Sequence, residues 1–518
     1  MDVTKLSLLL KVLEDETGET LNYQFKLFHE RALPDLGSNI KCGNSLIGPD
    51  FYDGKQMNLL DTEEAQRVNV FDWQAEFLEI FQAGGFDAVI GNPPYLAFHE
   101  GSIDEKKYYS DKFISSTGKY DQYVLFVEKS LNLLNRKGYF SFIIPNKFIH
   151  SGYGEGIKKV ILKNKIHEIV DFNDHKVFKD ATNYPCIILI TKDSGNRFDY
   201  KKVISLDSGQ FKITSISIYQ NSLTEHSWIL VDRDVSNLIN KICNNKQNLE
   251  YFSEAITQGL RTGQLKVFFN NISHELIKSE NLEKELIIPV FHGSNVKRYF
   301  SAADSNTDLL LFPYKTGSNI PVNINLYPNI KNYLLKYKME LDERKDSGKI
   351  FKNTNKKWFE YWDAKPKCFD KPKIIFPDIS STNNFNIDFE GIGYLNTCYA
   401  IFPKKDVNVN TLLGILNSKI VEYFLKNTCP FIRGGFYRYK TNYIKKIPIP
   451  FISENNNCKI SRLVEQMLFL HKQLAETKTG HEQTLLQRQI DTTDKQIDKL
   501  VYELYGLTEE EIAIVEGK

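Results

Sequence analysis

The 518-residue sequence predicts an α/β domain with a mainly parallel sheet, then a mixed α+β domain and a C-terminal helical segment. Three observations carry that prediction. Helix and strand signals alternate from the first residues to about 200. Short irregular strands rich in Asn, Lys, Tyr and Phe follow. Past Pro448 and Pro450 the apolar residues step by three and four to the end. The expected segments are 1–200, 205–452 and 458–518, with the polar stretch Lys192–Lys202 as the first junction. The length suits two to four domains, and 42% hydrophobic with 25% charged residues is a globular composition.

Val3, Leu6, Leu10 and Leu13 form a helical stripe at the start. Short strands are expected at Asn39–Cys42 and Phe86–Ile90. Val124, Val127, Leu131 and Leu134 repeat at helical spacing, and the turn Asn135–Gly138 hands over to a strand at Tyr139–Ile144. Two more strands are expected at Glu168–Phe172 and Cys186–Thr191. In the tail, Ile460, Leu463, Met467, Leu470 and Leu474 mark one long helix. Leu486, Ile490, Ile497, Leu500 and Leu504 mark a second after a break near Gly480. The two should pack as a hairpin or against the middle domain.

A formal net charge of +1 argues for no particular partner, so a polyanion would have to be met by locally concentrated charge. The seven cysteines are scattered, with no C-x-x-C pair, which points to a reducing cytoplasm and away from zinc. The apolar stretch near the N-terminus is too short and too interrupted by charge for a signal peptide or a membrane span, so no membrane association is expected.

The strongest chemical signal is Phe86-Asp87-Ala88-Val89-Ile90-Gly91 running into Asn92-Pro93-Pro94-Tyr95. A strand that ends in this tetrapeptide puts it where α/β folds bind ligands. An exocyclic amine conjugated to a purine is a poor nucleophile because its lone pair is delocalised. The Asn92 side-chain oxygen and the Pro93 carbonyl can accept its two hydrogens, drawing the nitrogen toward tetrahedral geometry and freeing the lone pair for a sulfonium methyl group. Consecutive prolines fix φ and keep that carbonyl out of a helix. Tyr95 offers a face for a base taken out of the duplex.

With these residues in place, the chain resembles the gamma-class DNA adenine-N6 methyltransferases of the type IIG restriction–modification kind. "NIKCGNSLIG" (Asn39–Gly48) resembles the segment that meets the adenine of S-adenosylmethionine, with Asn44 where relatives often carry Asp and Ser45 beside it. "DQYVLFVEKSLNLLNRKGYFSFIIPNKF" (Asp121–Phe148) resembles the helix and strand after the catalytic motif, which implies that Phe126 lines the cofactor pocket with Asn92 and Pro94. "HKVFKDATNYPCIILI" (His175–Ile190) resembles the next motif, whose aromatic stacks on the flipped adenine, here Phe178. The resemblance implies a Rossmann-like methyltransferase sheet that is incomplete at its N-terminus. The family's glycine-rich motif and ribose-binding acid have no counterpart before Asn44. A complementing N-terminal polypeptide is therefore an expected partner.

Two decoys are set aside. Ser151-Gly152-Tyr153-Gly154-Glu155-Gly156, followed by a helix and Asp171, mimics a glycine-rich cofactor loop, but "NKFIH" separates it from the preceding strand. Asp53-Gly54-Lys55 contains an Asp-x-Lys too close to Asp50 for a nuclease site. No cleavage activity and no metal are expected.

No acidic residue lies between Glu422 and Glu454, while Lys426, Arg433, Arg438, Lys440, Lys445 and Lys446 interleave with Phe431, Phe436, Tyr437, Tyr439 and Tyr443. Such a block suits double-stranded DNA: Lys and Arg neutralise phosphates, and Arg can read guanine edges. Arg433, Arg438, Lys440 and Lys445 are the expected contacts. With "KIIFPDISSTNNFNIDFEG" (Lys373–Gly391) and "LLGILNSKIVEYFL" (Leu412–Leu425), the block resembles a TaqI-like target-recognition domain. Two alternatives stand beside this reading: an inactive or partner-dependent DNA-specificity fragment, and a protein glutamine methyltransferase, which needs no long second half. Cytosine N4 is chemically open as the acceptor.

Overall fold

Phe86–Gly91 (β1) lies parallel to Leu134–Pro145 (β2), and from this pair a six-stranded sheet extends through Lys165–Asp171 (β3), Pro185–Thr191 (β4), Arg197–Asp207 (β5) and Gln210–Tyr219 (β6) in the order β1-β2-β4-β3-β5-β6. The structure is a computed structural model that describes residues 4–5, 7–8, 11, 38–53, 62–97, 102–150, 154–173, 175, 177–178, 184–207, 210–226, 228–299, 308–315, 317–346, 349–432 and 434–518. The N-terminal stripe from Val3 to Leu13 falls largely outside these residues.

The sheet is mixed rather than mainly parallel. β1 with β2 and β3 with β5 are parallel, whereas β4 runs antiparallel to both of its neighbours and β5 to β6. The run "PCIILIT" reports burial, and a buried strand looks the same in sequence whichever way it points. β2 also begins five residues early, at Leu134. A register shift opposite Phe86 and Ala88 takes up Asn135–Gly138, and the Gly138 backbone comes so close that a Cβ there would sit 2.7 Å from the Phe86 carbonyl oxygen. The strand expected at Asn39–Cys42 is absent. In its place Asn44 forms an isolated bridge with Val70.

No break falls at Lys192–Lys202. β5 and β6 continue the sheet through it, and the first compact unit runs to Leu230. The polar texture there is that of a half-exposed strand: Phe198, Tyr200 and Val203 turn into the core, while Arg197, Asp199 and Lys201 alternate with the first two. The core of this unit gathers Val124, Val127 and Leu131 of the helix Tyr123–Leu133, Ile157 and Ile161 of the helix Gly154–Leu162, and Ile188 and Ile190 of β4.

The second unit, Val231–Lys518, holds a four-stranded antiparallel sheet in the order Asn386–Asp388, Lys373–Pro377, Cys398–Pro403, Ser253–Gln258. The tail belongs to this unit. Helices Glu454–Glu476 and Gly480–Tyr505 pack on each other, and the first lies on Val409–Leu416, where a Cβ at Gly414 would come within 2.9 Å of Val464. Arg298 donates to both Asp494 oxygens, at 2.5 and 3.1 Å, and Lys419 N donates to Asp498 at 2.9 Å, tying the second helix to the rest. Ile460, Met467, Leu470, Ile490 and Ile497 are buried as their spacing predicts, joined by Val464, Val501 and Tyr505.

Candidate active site and DNA-binding surface

The Asn-Pro-Pro-Tyr segment leaves β1 at the carboxyl end of the strand. Gly91 is required there by contact, since a Cβ would press to 2.9 Å on the Phe142 ring of β2. Pro93 is buried, while Asn92 and Pro94 are exposed and the Asn92 carboxamide makes no hydrogen bond among the described residues. Tyr95 is half-buried. Its ring meets Tyr123 edge-on at 6.3 Å, and its hydroxyl donates to the Ile143 carbonyl of β2 at 3.1 Å. Burial pushes the Tyr95 phenol up to about 12, so it stays neutral and keeps that bond at ordinary pH.

Because β4 reverses between β2 and β3, the carboxyl ends of β1, β2 and β3 share one edge of the sheet. Asn92–Tyr95 follows β1, Asn146 follows β2, and the segment reaching Phe178 follows β3. Asp171, at the end of β3, is buried and accepts from Asn146 Nδ2 at 3.0 Å, the Asn173 amide at 2.8 Å and the Tyr200 hydroxyl at 2.7 Å. The acid that would serve the decoy loop is thus fully used in fastening this edge. Gly154 and Gly156 serve packing, since a Cβ would come within 2.1 Å of the Phe148 carbonyl oxygen at the first and 2.7 Å of the Ile114 carbonyl oxygen at the second. Ser151–Tyr153 lie outside the described residues. Phe178 is 36% exposed, and a hydrogen bond of 3.0 Å between His175 Nε2 and the Ile204 carbonyl holds its segment against β5. Sequence reasoning missed Asp171 as an anchor, because only the return of β5 brings Tyr200 to it.

Asn44 and Ser45 occupy a turn rather than a strand end. Asn44 Oδ1 accepts from the Leu46 amide at 3.2 Å, and Trp73 Nε1 donates to the Ser45 carbonyl at 3.0 Å. The adjoining residues are fastened to the helix Ile103–Lys112: Tyr108 donates to Asp50 at 2.8 Å and accepts from the Gly48 amide at 3.1 Å, and Lys112 pairs with Asp50 at 2.6 Å. Burial works to raise the Asp50 carboxyl, but the bonds from Lys112 and Tyr108 outweigh it and hold it below the ordinary carboxylate value. Phe126 is half-buried against the same core as Leu46 and Ile47, so the turn and Phe126 border one apolar mass.

In the second unit the basic block is less free than its sequence predicts. Lys426 pairs with Glu422 at 2.5 Å, Lys445 with Glu250 at 3.5 Å, and Arg438 Nε stands 3.9 Å from Asp378. Glu250 and Asp378 come from far outside the block. Lys440 and Lys446 are exposed, and Arg433 lies outside the described residues.

Residues 1–178 match the family described as Eco57I restriction-modification methylase, and residues 288–449 match the TaqI-like C-terminal specificity domain. The chain is similar to the Type II restriction enzyme and methyltransferase RM.Eco57I of Escherichia coli, 27% identical over 548 residues that cover 96% of this chain and 52% of that one. It is also similar to the Type II methyltransferase M.BstVI of Geobacillus stearothermophilus, 24% identical over 86% of this chain and 79% of that one. Its fold resembles that of the Type IIL restriction-modification enzyme MmeI, solved in complex with DNA, with a TM-score of 0.60 at 14% identity over 86% of this chain and 58% of that one. The chain thus spans about half the length of RM.Eco57I.

Proposed function

We infer, from a chain whose relatives are type II restriction–modification methyltransferases, that it methylates adenine N6 in duplex DNA using S-adenosylmethionine. The observation that carries this reading is the exposed Asn92 carboxamide at the carboxyl end of β1, without a hydrogen bond among the described residues and next to the carbonyl of Pro93, which lies outside any helix. Asn92 and Pro93 orient the amine, Pro94 stiffens the segment, and Tyr95 and Phe178 flank the flipped base. Asn44, Ser45 and Phe126 are the residues that would hold the adenine side of the cofactor, which would supply a methyl group on a sulfonium sulfur that departs as a neutral thioether. The proton shed by the nitrogen leaves to solvent, since neither an amide nor a carbonyl is a base. Transfer of radiolabelled methyl to DNA, followed by nucleoside analysis, tests the reading. N6-methyladenine supports it, N4-methylcytosine replaces the acceptor, and label in protein glutamine overturns it.

Stacking predicts a further pattern. Tyr95→Ala and Phe178→Ala should slow methylation of a matched duplex, and a mismatch at the target should partly restore it because unpairing is then cheaper. Tyr95→Phe keeps the ring and should stay close to wild type. Equal rates for all three variants on matched DNA would remove the sandwich.

The second unit supports duplex DNA as the partner through its specificity-domain match and its exposed lysines. Affinity should fall linearly with log salt, and Lys440→Ala, which removes one phosphate contact, should flatten the slope by about one unit. Lys445→Ala should do less, because Glu250 already offsets that charge. Arg438→Ala, and Arg433→Ala from the sequence reading, should relax preference at a position of the site. Binding indifferent to salt would move the recognition surface elsewhere.

A complementing polypeptide is the remaining partner. Among the described residues β1 is the outer strand of its sheet, and a strand added there would pair its open backbone edge, while Ile90, 86% exposed, would be covered only by an element packed on the face.

A further inference from the structure

In the second unit, Phe431–Ile432 and Phe436–Arg438 form a hairpin, and Ile379–Ser380 pairs alongside, with Ile379 opposite Arg438 and Ser380 opposite Tyr437. Gly434 and Gly435 turn the chain at φ +88° and +82°, a region that side chains rarely tolerate. Strand alternation then sorts the side chains. Ser380 and Tyr439 are buried, and Tyr437 meets Phe431 edge-on at 5.4 Å. The opposite face presents Phe436 at 41% exposure, Ile379 at 42% and the Arg438 side chain at 40%. Phe436 sits directly after the glycine pair, and its ring lies where a Cβ on Gly434 would meet it at 3.4 Å.

An aromatic ring left in water at the end of a narrow hairpin forgoes burial that would favour it, so a partner that covers it gains. The surroundings select the partner. No acidic residue occurs from Tyr423 to Ser453 in sequence, Lys440 and Lys446 are exposed, and the Arg438 side chain shares the face with the ring, its charge partly offset by Asp378 at 3.9 Å. A polyanion with flat apolar faces fits both features, and nucleic acid has both.

We propose that this hairpin enters duplex DNA with Phe436 as an apolar wedge against a base step, flanked by Ile379 and Arg438, so that the face distorts bases as well as meeting phosphates. The proposal rests on the reading of the chain as a DNA-binding methyltransferase. It adds a contact whose energy is insensitive to salt, unlike that of the lysines.

The experiment first selects a preferred duplex from a randomised pool with the full chain, then places 2-aminopurine at successive positions of it. Wild type should raise the fluorescence severalfold at the flipped target base and, apart from it, at one further step. Phe436→Ala should lose the rise at that further step and weaken binding roughly tenfold or more, with the salt slope unchanged. Phe436→Trp should keep both effects, and Lys440→Ala should flatten the slope while leaving the fluorescence. Thermal melting of Phe436→Ala should match wild type, because the ring is exposed. Wild-type affinity and fluorescence in Phe436→Ala would overturn the wedge while leaving DNA binding intact. A Phe436→Ala effect confined to oligomeric state would overturn it in favour of self-association. If the wild-type chain selects no duplex at all, the DNA-binding reading fails, and the wedge fails with it.

Discussion

Replacing Asn92 by alanine should abolish methyl transfer while leaving DNA affinity nearly unchanged. Loss of one positioned acceptor typically raises a barrier by a few kcal/mol, on the order of a hundredfold or more in rate. The structure makes the substitution a clean one. Asn92 is exposed and makes no hydrogen bond among the described residues, so its loss leaves no buried group unpaired. The neighbouring backbone is held independently, by Pro93 in the core, by Tyr95 on Ile143, and by the Gln122 amide donating to the Leu96 carbonyl at 2.8 Å. Single-turnover rates on an active form of the protein, with DNA affinity measured in parallel, decide the matter. Wild-type rates from Asn92→Ala would remove the assignment.

The isolated chain should bind S-adenosylmethionine no tighter than about millimolar, near 4 kcal/mol, and a polypeptide carrying the family's glycine-rich segment should bring it to micromolar, near 8 kcal/mol. Residues 1–43 contain no glycine-rich loop. β1 is the outer strand of its sheet among the described residues, and its Ile90 is 86% exposed. An added strand would pair the backbone groups of that edge, and an element packed on the face over Ile90 would gain about 1.5–3 kcal/mol more. Asn44, Ser45 and Phe126 would retain adenine-side contacts, while the ribose and methionine ends would lack theirs. Calorimetry on the 518-residue chain, with and without the added segment, measures both states. Micromolar binding by the chain alone would refute the incomplete pocket and return attention to Gly152–Gly156.

Elements whose character is local were legible in advance. The β1 strand and its Asn-Pro-Pro-Tyr exit follow from an apolar run and two fixed φ angles, and the strands at Lys165–Asp171 and Pro185–Thr191 from β-branched residues in short runs. The tail helices follow from spacing alone, although burial falls on Val501 and Tyr505 more than on Leu500 and Leu504, where Tyr505 donates to the Pro448 carbonyl at 2.5 Å and meets Lys246, both distant in sequence. The strand expected at Asn39–Cys42 failed for the converse reason. The residues just after it, Asn44–Gly48, are held by a bridge from Asn44 to Val70, by Trp73 donating to the Ser45 carbonyl and by the Gly48 amide donating to Tyr108, all distant in sequence.

By itself, then, the sequence determined the strand β1 with its Asn-Pro-Pro-Tyr exit, the helical tail and the stretch of chain that is locally basic, since each depends on covalent constraint or on neighbours within a few residues. Tertiary structure alone decided the reversed direction of β4, the extension of the first unit to Leu230, the use of Asp171 as an anchor, and which cations of the basic block are already matched by Glu250 and Asp378. Those outcomes depend on which distant segment the chain brings back to a given side chain. Burial and charge pairing are properties of that encounter, and a pattern read along one strand of sequence carries no record of it.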